Sequence, residues 1–226
     1  MKNKTTTSKF QSVFIPVLLS TALSVGLFLF RYLDSQSSRY WFLLWNLLLA
    51  WLPVLFITLL IRWLQKGRWL SWKGILLSVL WLTFLPNTFY LVTDFIHLKP
   101  TTEVSLLYDG VMFMTFAWNG LLLGFITVYI FHRELLKRLP VRRATEIIAG
   151  VFILSGFAIY LGRYLTWNTW DLVVNPAGIL VDLSNRVVQP SLYPNTFTTT
   201  AIFAVTLPVL YYSIYGLIRS AMNERD

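Results

Sequence analysis

Residues 41–64 read WFLLWNLLLAWLPVLFITLLIRWL, and this stretch decides the class of fold. Arg62 is the only charged side chain in it. A helix needs about 20 mostly apolar residues to cross the hydrocarbon core of a bilayer. The stretch meets that requirement and lacks the strict alternation of a transmembrane β-strand. It therefore predicts a membrane-spanning α-helix.

Five more windows of this kind occur in the chain. The six predicted spans lie at residues 10–33, 41–64, 72–95, 107–131, 147–165 and 196–217. The first window has a basic start, as a signal peptide does, but its apolar run exceeds the about 7–15 residues of one, so we expect an uncleaved span. Hydrophobic residues make up 56% of the 226 and charged residues only 13%, too few to cover a soluble domain. We predict an all-α polytopic membrane helix bundle that forms a single domain, residues 1–226.

The composition and the missing motifs exclude other classes of protein. The chain has no cysteine, which excludes a disulfide scaffold, a thiolate zinc site and cysteine catalysis. High hydrophobicity excludes intrinsic disorder. The phosphate-binding loop G-x-x-x-x-G-K-[ST], the nucleophile motif G-x-S-x-G and the zinc motif H-E-x-x-H are missing, which disfavours ATP-driven and standard hydrolase mechanisms. No cofactor can be identified from the sequence.

The 19 Lys and Arg residues are distributed unevenly across the predicted membrane. Fourteen of the 19 fall on the side that holds both termini, and five fall on the other. Because short cytoplasmic connections carry the excess of Lys and Arg, we expect a plasma-membrane protein with both termini in the cytoplasm. Attraction to anionic lipids of the inner leaflet explains the net charge of +9. The predicted partner is the lipid bilayer, and nucleic acid is not a predicted partner.

The outer half of the third window concentrates polar side chains. Residues 85–98 read LPNTFYLVTDFIHL. On a helix that turns by about 100° per residue, five polar side chains fall within a sector of roughly 80°. They are Thr83, Asn87, Tyr90, Asp94 and His97. Such a sector is either a polar seam between helices or one wall of a ligand site. Pro86 should bend this helix, and the Asn87 side chain can satisfy backbone groups that the bend frees.

Asp94 and His97 are the candidate catalytic residues. A carboxylate and an imidazole spaced i, i+3 can share a proton or a metal ion. Tight binding of a divalent metal needs three or four ligands, and the third could come from Glu103 or Asp109. Nothing in the spacing requires this, so a divalent metal at Asp94 and His97 stays an open alternative.

The fourth window begins with Tyr108-Asp109 and carries Asn119 further in. Asn119 lies deep enough to need a hydrogen-bond partner. Gly120 and Gly124 are spaced i, i+4, a pattern that predicts close packing against another helix.

Arg163 is a cation at the outer end of the fifth window. It has three interpretations: an ion pair with Asp94, Asp109 or Asp171, a clamp for a phosphate or carboxylate, or a side chain that reaches outward to water. The clamp would make it part of a substrate site. The candidate substrate-binding residues are Asn87, Tyr90, Asp109, Asn119, Arg163 and Asp171.

The long connection before the last window contains a predicted amphipathic helix. Asn175-Pro176 is a typical helix start, with Asn as the cap and Pro at the first position. On a helix from this start, the apolar side chains gather on one face and the polar side chains on the other. The apolar ones are Ile179, Leu180, Leu183 and Val187, and the polar ones are Asp182, Asn185, Arg186 and Gln189. We expect this helix on the outer face, either flat on the leaflet or folded over the site as a lid.

These motifs resemble a known family when they are taken in order. Leu-Pro-Asn-x-x-Tyr-x-x-Thr-Asp-x-x-His-Leu at residues 85–98 is followed by Tyr108-Asp109, by Phe116-Ala117-Trp118-Asn119-Gly120, by Gly162-Arg163, and by Trp167-Asn168 with Trp170-Asp171. The pattern resembles the bacterial membrane-protein family catalogued as domain of unknown function 1361 (DUF1361). The resemblance covers the chain from about the second window onward. It implies an integral membrane protein and no assigned activity.

Three functions stay open at this point. In the first, spans three to five bring the polar residues together as a site that binds or processes an anionic or lipid-linked substrate. Arg163 would hold the charged group there, and Asp94 would act as base or metal ligand beside His97. In the second, the protein is a non-enzymatic structural or assembly protein, and its aromatic surface meets a membrane protein partner. The third and least favoured is a small secondary transporter.

Overall fold

The structure is a computed structural model that describes residues 3–167, 169 and 171–223. The side chains of residues 3–14, 172, 173, 187, 219 and 221–223 are not described. Asn168 and Trp170 of the family pattern, and the Val187 side chain on the predicted amphipathic helix, therefore lie outside the described part.

All regular structure in the described part of the chain is helical, which confirms the all-α prediction. The α-helices are α1 (Asn3–Ser35), α2 (Phe42–Leu64), α3 (Trp72–Phe84), α4 (Pro86–Thr93), α5 (Leu106–Leu136), α6 (Val141–Tyr164), α7 (Asp171–Val174), α8 (Pro176–Val188) and α9 (Pro194–Asn223). One-turn 3₁₀ helices lie at Asp94–His97 and Pro190–Leu192.

Within the described residues, six segments are long and apolar enough to cross a membrane, and they match the six predicted windows. They are Ile15–Ser35, Phe42–Leu64, Trp72–His97, Leu106–Leu136, Val141–Tyr164 and Pro194–Ile218. The fourth is longer and the fifth begins earlier than predicted. A hydropathy window stops at the first charges, but the helix continues through Arg133 and Glu134 and restarts before Arg142.

The chain forms two compact units, Met1–Thr127 and Val128–Asp226, which we describe separately. That the whole chain acts as a single membrane domain stays a prediction. In unit 1, α2 packs against α3 and α4. Its buried side chains recur every three or four residues: Leu43, Leu47, Ala50, Val54 and Ile57. Lipid tails are as apolar as leucine, so close packing and polar contacts hold such helices together more than burial from water does.

The hydrogen bonding of the third span changes at Pro86. Helix α3 ends before Leu85, and Pro86 is the first residue of α4. Thr88 N donates to the carbonyl of Leu85 instead of that of Phe84. Asn87 Nδ2 donates to the Phe84 carbonyl at 3.1 Å, as the sequence predicts for a backbone group freed by the proline.

The polar sector of the third span does not form one buried face. Helix α4 buries Thr88, Phe89 and Leu91, whereas Asn87 and Tyr90 are half-buried. The final turn is a 3₁₀ helix, in which Asp94 is buried and His97 is exposed. The sector was derived for a uniform α-helix, and a 3₁₀ turn of 3.0 residues aims its side chains differently.

The glycine pair of the fourth span packs against α4, which confirms the prediction of close helix approach. A methyl group at Gly120 would overlap the backbone oxygen of Thr88. One at Gly124 would lie 2.5 Å from side-chain atoms of Thr88 and Phe89. Only glycine lets the two helices approach to this distance.

Unit 2 contains the packed pair α6 and α9. Here too a glycine sets the contact, because a methyl group at Gly156 would lie 2.9 Å from the Thr200 carbonyl. Helix α8 has the predicted start: Pro176 is its first residue, and Asn175 Oδ1 accepts a hydrogen bond from Gly178 N at 3.0 Å.

Candidate functional site

Charged and aromatic side chains meet at the end of unit 1 where α1 finishes and both α2 and α5 begin. The turn between α1 and α2 and the connection at residues 98–105 lie at the same end. The contacts described below join nine of these residues, which we call the polar end cluster. It consists of Arg31, Tyr40, Phe42, Asn46, Asp94, His97, Glu103, Asp109 and Phe113.

Arg31 is the centre of charge in the cluster. Its Nε donates to Asp109 Oδ1 at 2.7 Å, and Nη2 donates to Glu103 Oε2 at 3.3 Å. The Arg31 and Asp109 side chains are 1% and 0% exposed, whereas the Glu103 side chain is 32% exposed. Nη1 also donates to Ser35 Oγ at 3.4 Å. The guanidinium thus holds one carboxylate inside the protein and a second one at its surface.

The sequence analysis missed Arg31 as a partner of Asp109. It weighed Arg163 for that role and counted Arg31 only in the charge balance. Both Asp109 oxygens accept from Arg31, the second at 3.4 Å. One signal was available: Arg31 and Asp109 are opposite charges at the same ends of two predicted spans, and a buried charge in a membrane needs a partner.

Aromatic rings connect Arg31 to His97. The Tyr40 ring lies 4.5 Å from the Arg31 guanidinium carbon and packs edge-on against Phe113 at 4.9 Å between centroids. Phe42 contacts Tyr40, Phe113 and, at 5.1 Å, His97. These contacts bring Asp109 and the Asp94–His97 turn to the same end of unit 1. The hydroxyl of Tyr40 is buried and has no hydrogen-bond partner among the described residues.

Asp94 is the second buried carboxylate of the cluster, 1% exposed. Its Oδ2 accepts a hydrogen bond from Asn46 Nδ2 at 2.9 Å. Sequence reasoning missed Asn46, although it is the only amide in the second predicted span. Across the described residues, no three His, Asp or Glu side chains gather as metal ligands. That a divalent metal binds at Asp94 and His97 stays a prediction.

Asn119 lies away from the polar end cluster. It is ten residues along α5 from Asp109, about 15 Å along the helix axis. It is fully buried, and its Nδ2 donates to Thr21 Oγ1 at 3.1 Å. The predicted need for a partner is confirmed, and the contact ties α5 to α1. Tyr108 Oη, which donates to the Leu27 carbonyl at 2.8 Å, is a further contact between these helices.

Arg163 and Asp171 belong to unit 2. Arg163 is half-buried in the last turn of α6, and Asp171 is the first residue of α7. That they act together with Asp94, His97 or Asp109 stays a prediction.

A cation that sequence reasoning placed on the polar face of the amphipathic helix proves to be buried in unit 2. Arg186 of α8 donates from Nε to Tyr160 Oη at 3.0 Å, and its guanidinium carbon lies 4.7 Å from the Tyr193 ring centre. Burial acts to lower the pKa of Arg186, but the bond to Tyr160 and the charge of Asp182 raise it above its ordinary value. Asp182 also accepts from Trp167 Nε1 at 2.8 Å. These contacts pack α8 against the end of α6, and whether it lies flat on the leaflet or covers the site as a lid stays a prediction.

Six apolar helices with charges buried at their ends define an α-helical multi-pass membrane protein. The chain belongs to the family described as "Protein of unknown function (DUF1361)", whose model matches residues 45–210. No curated protein and no solved structure matches it.

Proposed function

We propose that the polar end cluster binds the anionic group of a lipid-linked substrate, and that Asp94 and His97 act on the bound substrate as base and proton partner. The observation that carries the proposal is the position of Arg31 between two carboxylates of different kinds. Asp109 is enclosed, whereas Glu103 lies on the connection at residues 98–105 and is partly open to the surroundings. A ligand anion can replace Glu103 at Arg31 without disturbing the inner pair.

Arginine suits this exchange. Its guanidinium binds a phosphate or carboxylate through two parallel hydrogen bonds, and it stays charged at any physiological pH. Arg31 Nη2 donates to Glu103 Oε2 at 3.3 Å and to Asp109 Oδ2 at 3.4 Å. Both distances are long for hydrogen bonds between charged groups. A ligand anion that lies closer to Nη2 would form a shorter and stronger hydrogen bond with it than Glu103 does.

Tyr40 supplies a donor for the same ligand. Its hydroxyl is buried beside Arg31 and has no partner among the residues that the structure describes. A buried hydroxyl without a hydrogen bond costs free energy, so a ligand oxygen that accepts from it is stabilised. This donor and the Arg31 guanidinium favour an oxygen-rich anion.

The surroundings of the cluster favour a ligand with an apolar chain. Ile96, in the 3₁₀ turn of Asp94, and Leu107, at the start of α5, are both exposed. The cluster lies at the ends of four predicted spans, where a headgroup and its chain enter together. From the asymmetry of Lys and Arg we expect this end on the outer side of the plasma membrane.

Replacing Glu103 by Gln should tighten binding of a lipid phosphate about tenfold. The variant removes the carboxylate that competes for Arg31, a charged hydrogen bond worth about 1.5 kcal/mol. Titration with dioleoyl phosphatidate, followed by native mass spectrometry in detergent, measures the change. Asp34→Asn is the matched control, because it removes an exposed carboxylate from the last turns of α1. Equal affinity in all three proteins would rule out exchange at Glu103.

Replacing Asp94 by Asn should preserve the fold and stop the chemical step. The two side chains have the same shape, and loss of a general base lowers rates by about 10²–10⁴-fold. Protein extracted gently from its own membrane should then carry a lipid of different mass in the variant, because bound substrate is no longer converted. Native mass spectrometry compares the two adducts. Identical adducts would show that Asp94 is not the base.

The structural alternative rests on a separate observation. The Arg31–Asp109 and Asn119–Thr21 pairs both join α1 to α5, as the polar network of an assembly protein would. It predicts that Asp94→Asn lowers the melting temperature and that neither protein carries an adduct. A small secondary transporter is the third function, and uptake into vesicles that depends on Asp94 would favour it.

A further inference from the structure

Helix α2 carries an uncovered stripe that changes from apolar to basic along its length. Leucines at 48, 52, 55 and 59 are followed at the same spacing by Arg62, still in α2, and by Lys66, in the turn just after the helix ends. Steps of four and three residues keep these positions on one face of a helix. Leu48, Leu55 and Leu59 are exposed on the protein surface.

The stripe is a shallow, open groove. Its apolar part has a volume of about 570 Å³ and extends from Leu48 to Arg62. A second groove of about 470 Å³, which includes Lys66 and reaches Leu77 of α3, shares Leu59 and Arg62 with the first. The two grooves are therefore neighbours along α2.

The turn between α2 and α3 fixes the basic end of the groove. Trp63 Nε1 donates to Ser71 Oγ at 2.9 Å, and Lys73 Nζ lies 5.2 Å from the Trp63 ring. A methyl group at Gly67 would lie 2.5 Å from the same ring. Trp63 lines the second groove, and these contacts hold its side chain in place.

We propose that this groove binds a phospholipid with an anionic headgroup. The apolar part, from Leu48 to Leu59, measures about 17 Å along the helix. One leaflet of the hydrocarbon core is about 15 Å thick, so this part matches the length of an acyl chain in place. Arg62 and Lys66 then lie at headgroup depth, where each basic side chain attracts anionic lipid.

The charges of Arg62 and Lys66 favour a lipid over a second copy of the chain as the occupant of the groove. Leucines at this spacing also pack helix against helix. Two copies in the same membrane orientation would bring Arg62 and Lys66 of one against those of the other. Among the described residues, neither side chain has an ion pair or hydrogen-bond partner that would absorb this repulsion. A phosphate between them is attracted by both.

The groove is independent of the ligand proposed for the polar end cluster. The Lys and Arg asymmetry predicts that Arg62 and Lys66 face the cytoplasm, so the lipid would belong to the inner leaflet. Failure of one proposal leaves the other untouched, since the variants below alter no residue of the cluster.

The double variant Arg62→Gln, Lys66→Gln tests the headgroup contact. We expect it to bind dioleoyl phosphatidylglycerol about thirtyfold more weakly than the wild type, because each cation contributes about fivefold. Retention of the lipid in native mass spectrometry, against dioleoyl phosphatidylcholine, measures the loss. The matched control Arg142→Gln, Arg143→Gln removes two exposed charges predicted on the same side and should bind as the wild type does. Equal binding by the test variant, or equal loss in the control, overturns the proposal.

A second pair of variants tests the apolar part. Leu55→Trp fills the groove without changing charge and should also weaken phosphatidylglycerol retention, whereas Leu154→Trp, at an exposed position of α6, should not. Because the chain has no cysteine, Leu55→Cys gives a single crosslinking site. A disulfide-linked dimer in oxidised membranes would assign the stripe to a second copy and overturn the lipid proposal.

Discussion

Replacing Arg31 by Met is expected to destabilise the protein by about 3–5 kcal/mol. The variant leaves Asp109 fully buried without the cation 2.7 Å away, and an uncompensated buried charge is the costliest outcome of a single substitution. Asp109→Leu should cost a similar amount. Chemical denaturation in detergent, followed by the loss of helical circular dichroism, measures both.

The double variant Arg31→Met, Asp109→Leu should recover most of that loss. With both charges removed, the interior contains apolar side chains of similar size, and such replacements are often neutral. Arg142→Met is the surface control: its side chain is 91% exposed beside Glu146, so its loss should stay below about 1 kcal/mol. Additive losses in the double variant would show that Arg31 and Asp109 do not stabilise each other.

The same double variant separates the two functions of the cluster. A protein that folds without Arg31 but no longer retains a lipid phosphate has lost a ligand site. If Arg31 served only to join α1 to α5, the folded double variant would bind every ligand as the wild type does. The stability of the double variant thus reports on the contact of Arg31 with Asp109, and its lipid binding reports on the contact of Arg31 with the ligand.

The second large effect is expected at Gly120, where alanine should cost about 1–3 kcal/mol. The added methyl group meets the backbone oxygen of Thr88, which cannot move without shifting α4. Gly110→Ala is the control on the same helix, because its methyl group meets only Leu98 Cδ2 at 3.9 Å. Alanine is the better helix former, so this control should be neutral or stabilising. Melting temperatures in detergent compare the two, and equal values would contradict the close approach of α4 and α5.

Features that depend on neighbouring residues could be predicted from the sequence. The apolar windows gave the six spans, the spacing of Gly120 and Gly124 gave a close helix contact, and Asn175-Pro176 gave the start of α8. Each rests on residues less than about one span apart, for which helix geometry fixes the relation between side chains.

Contacts between distant helices could not be predicted in this way. Arg31 and Asp109 are 78 residues apart, and Asn46 and Asp94 are 48 apart. Periodicity says which face of a helix is polar but not which helix it meets. The local error at His97 has a different cause, because the sector was drawn for an α-helix and the chain changes there to a 3₁₀ turn.

The distance in sequence between Arg31 and Asp109 also sets the delay between their syntheses. A ribosome that adds about 5–20 residues per second needs about 4–16 s to make the 78 residues between them. Throughout that interval the first span has been synthesised, but Asp109 has not, so the Arg31 side chain cannot form its ion pair. A long arginine side chain near a helix end can keep its charge in the headgroup layer while it waits. The contact between Arg31 and Asp109, and the packing of α1 on α5 that depends on it, therefore forms only after α5 has been made.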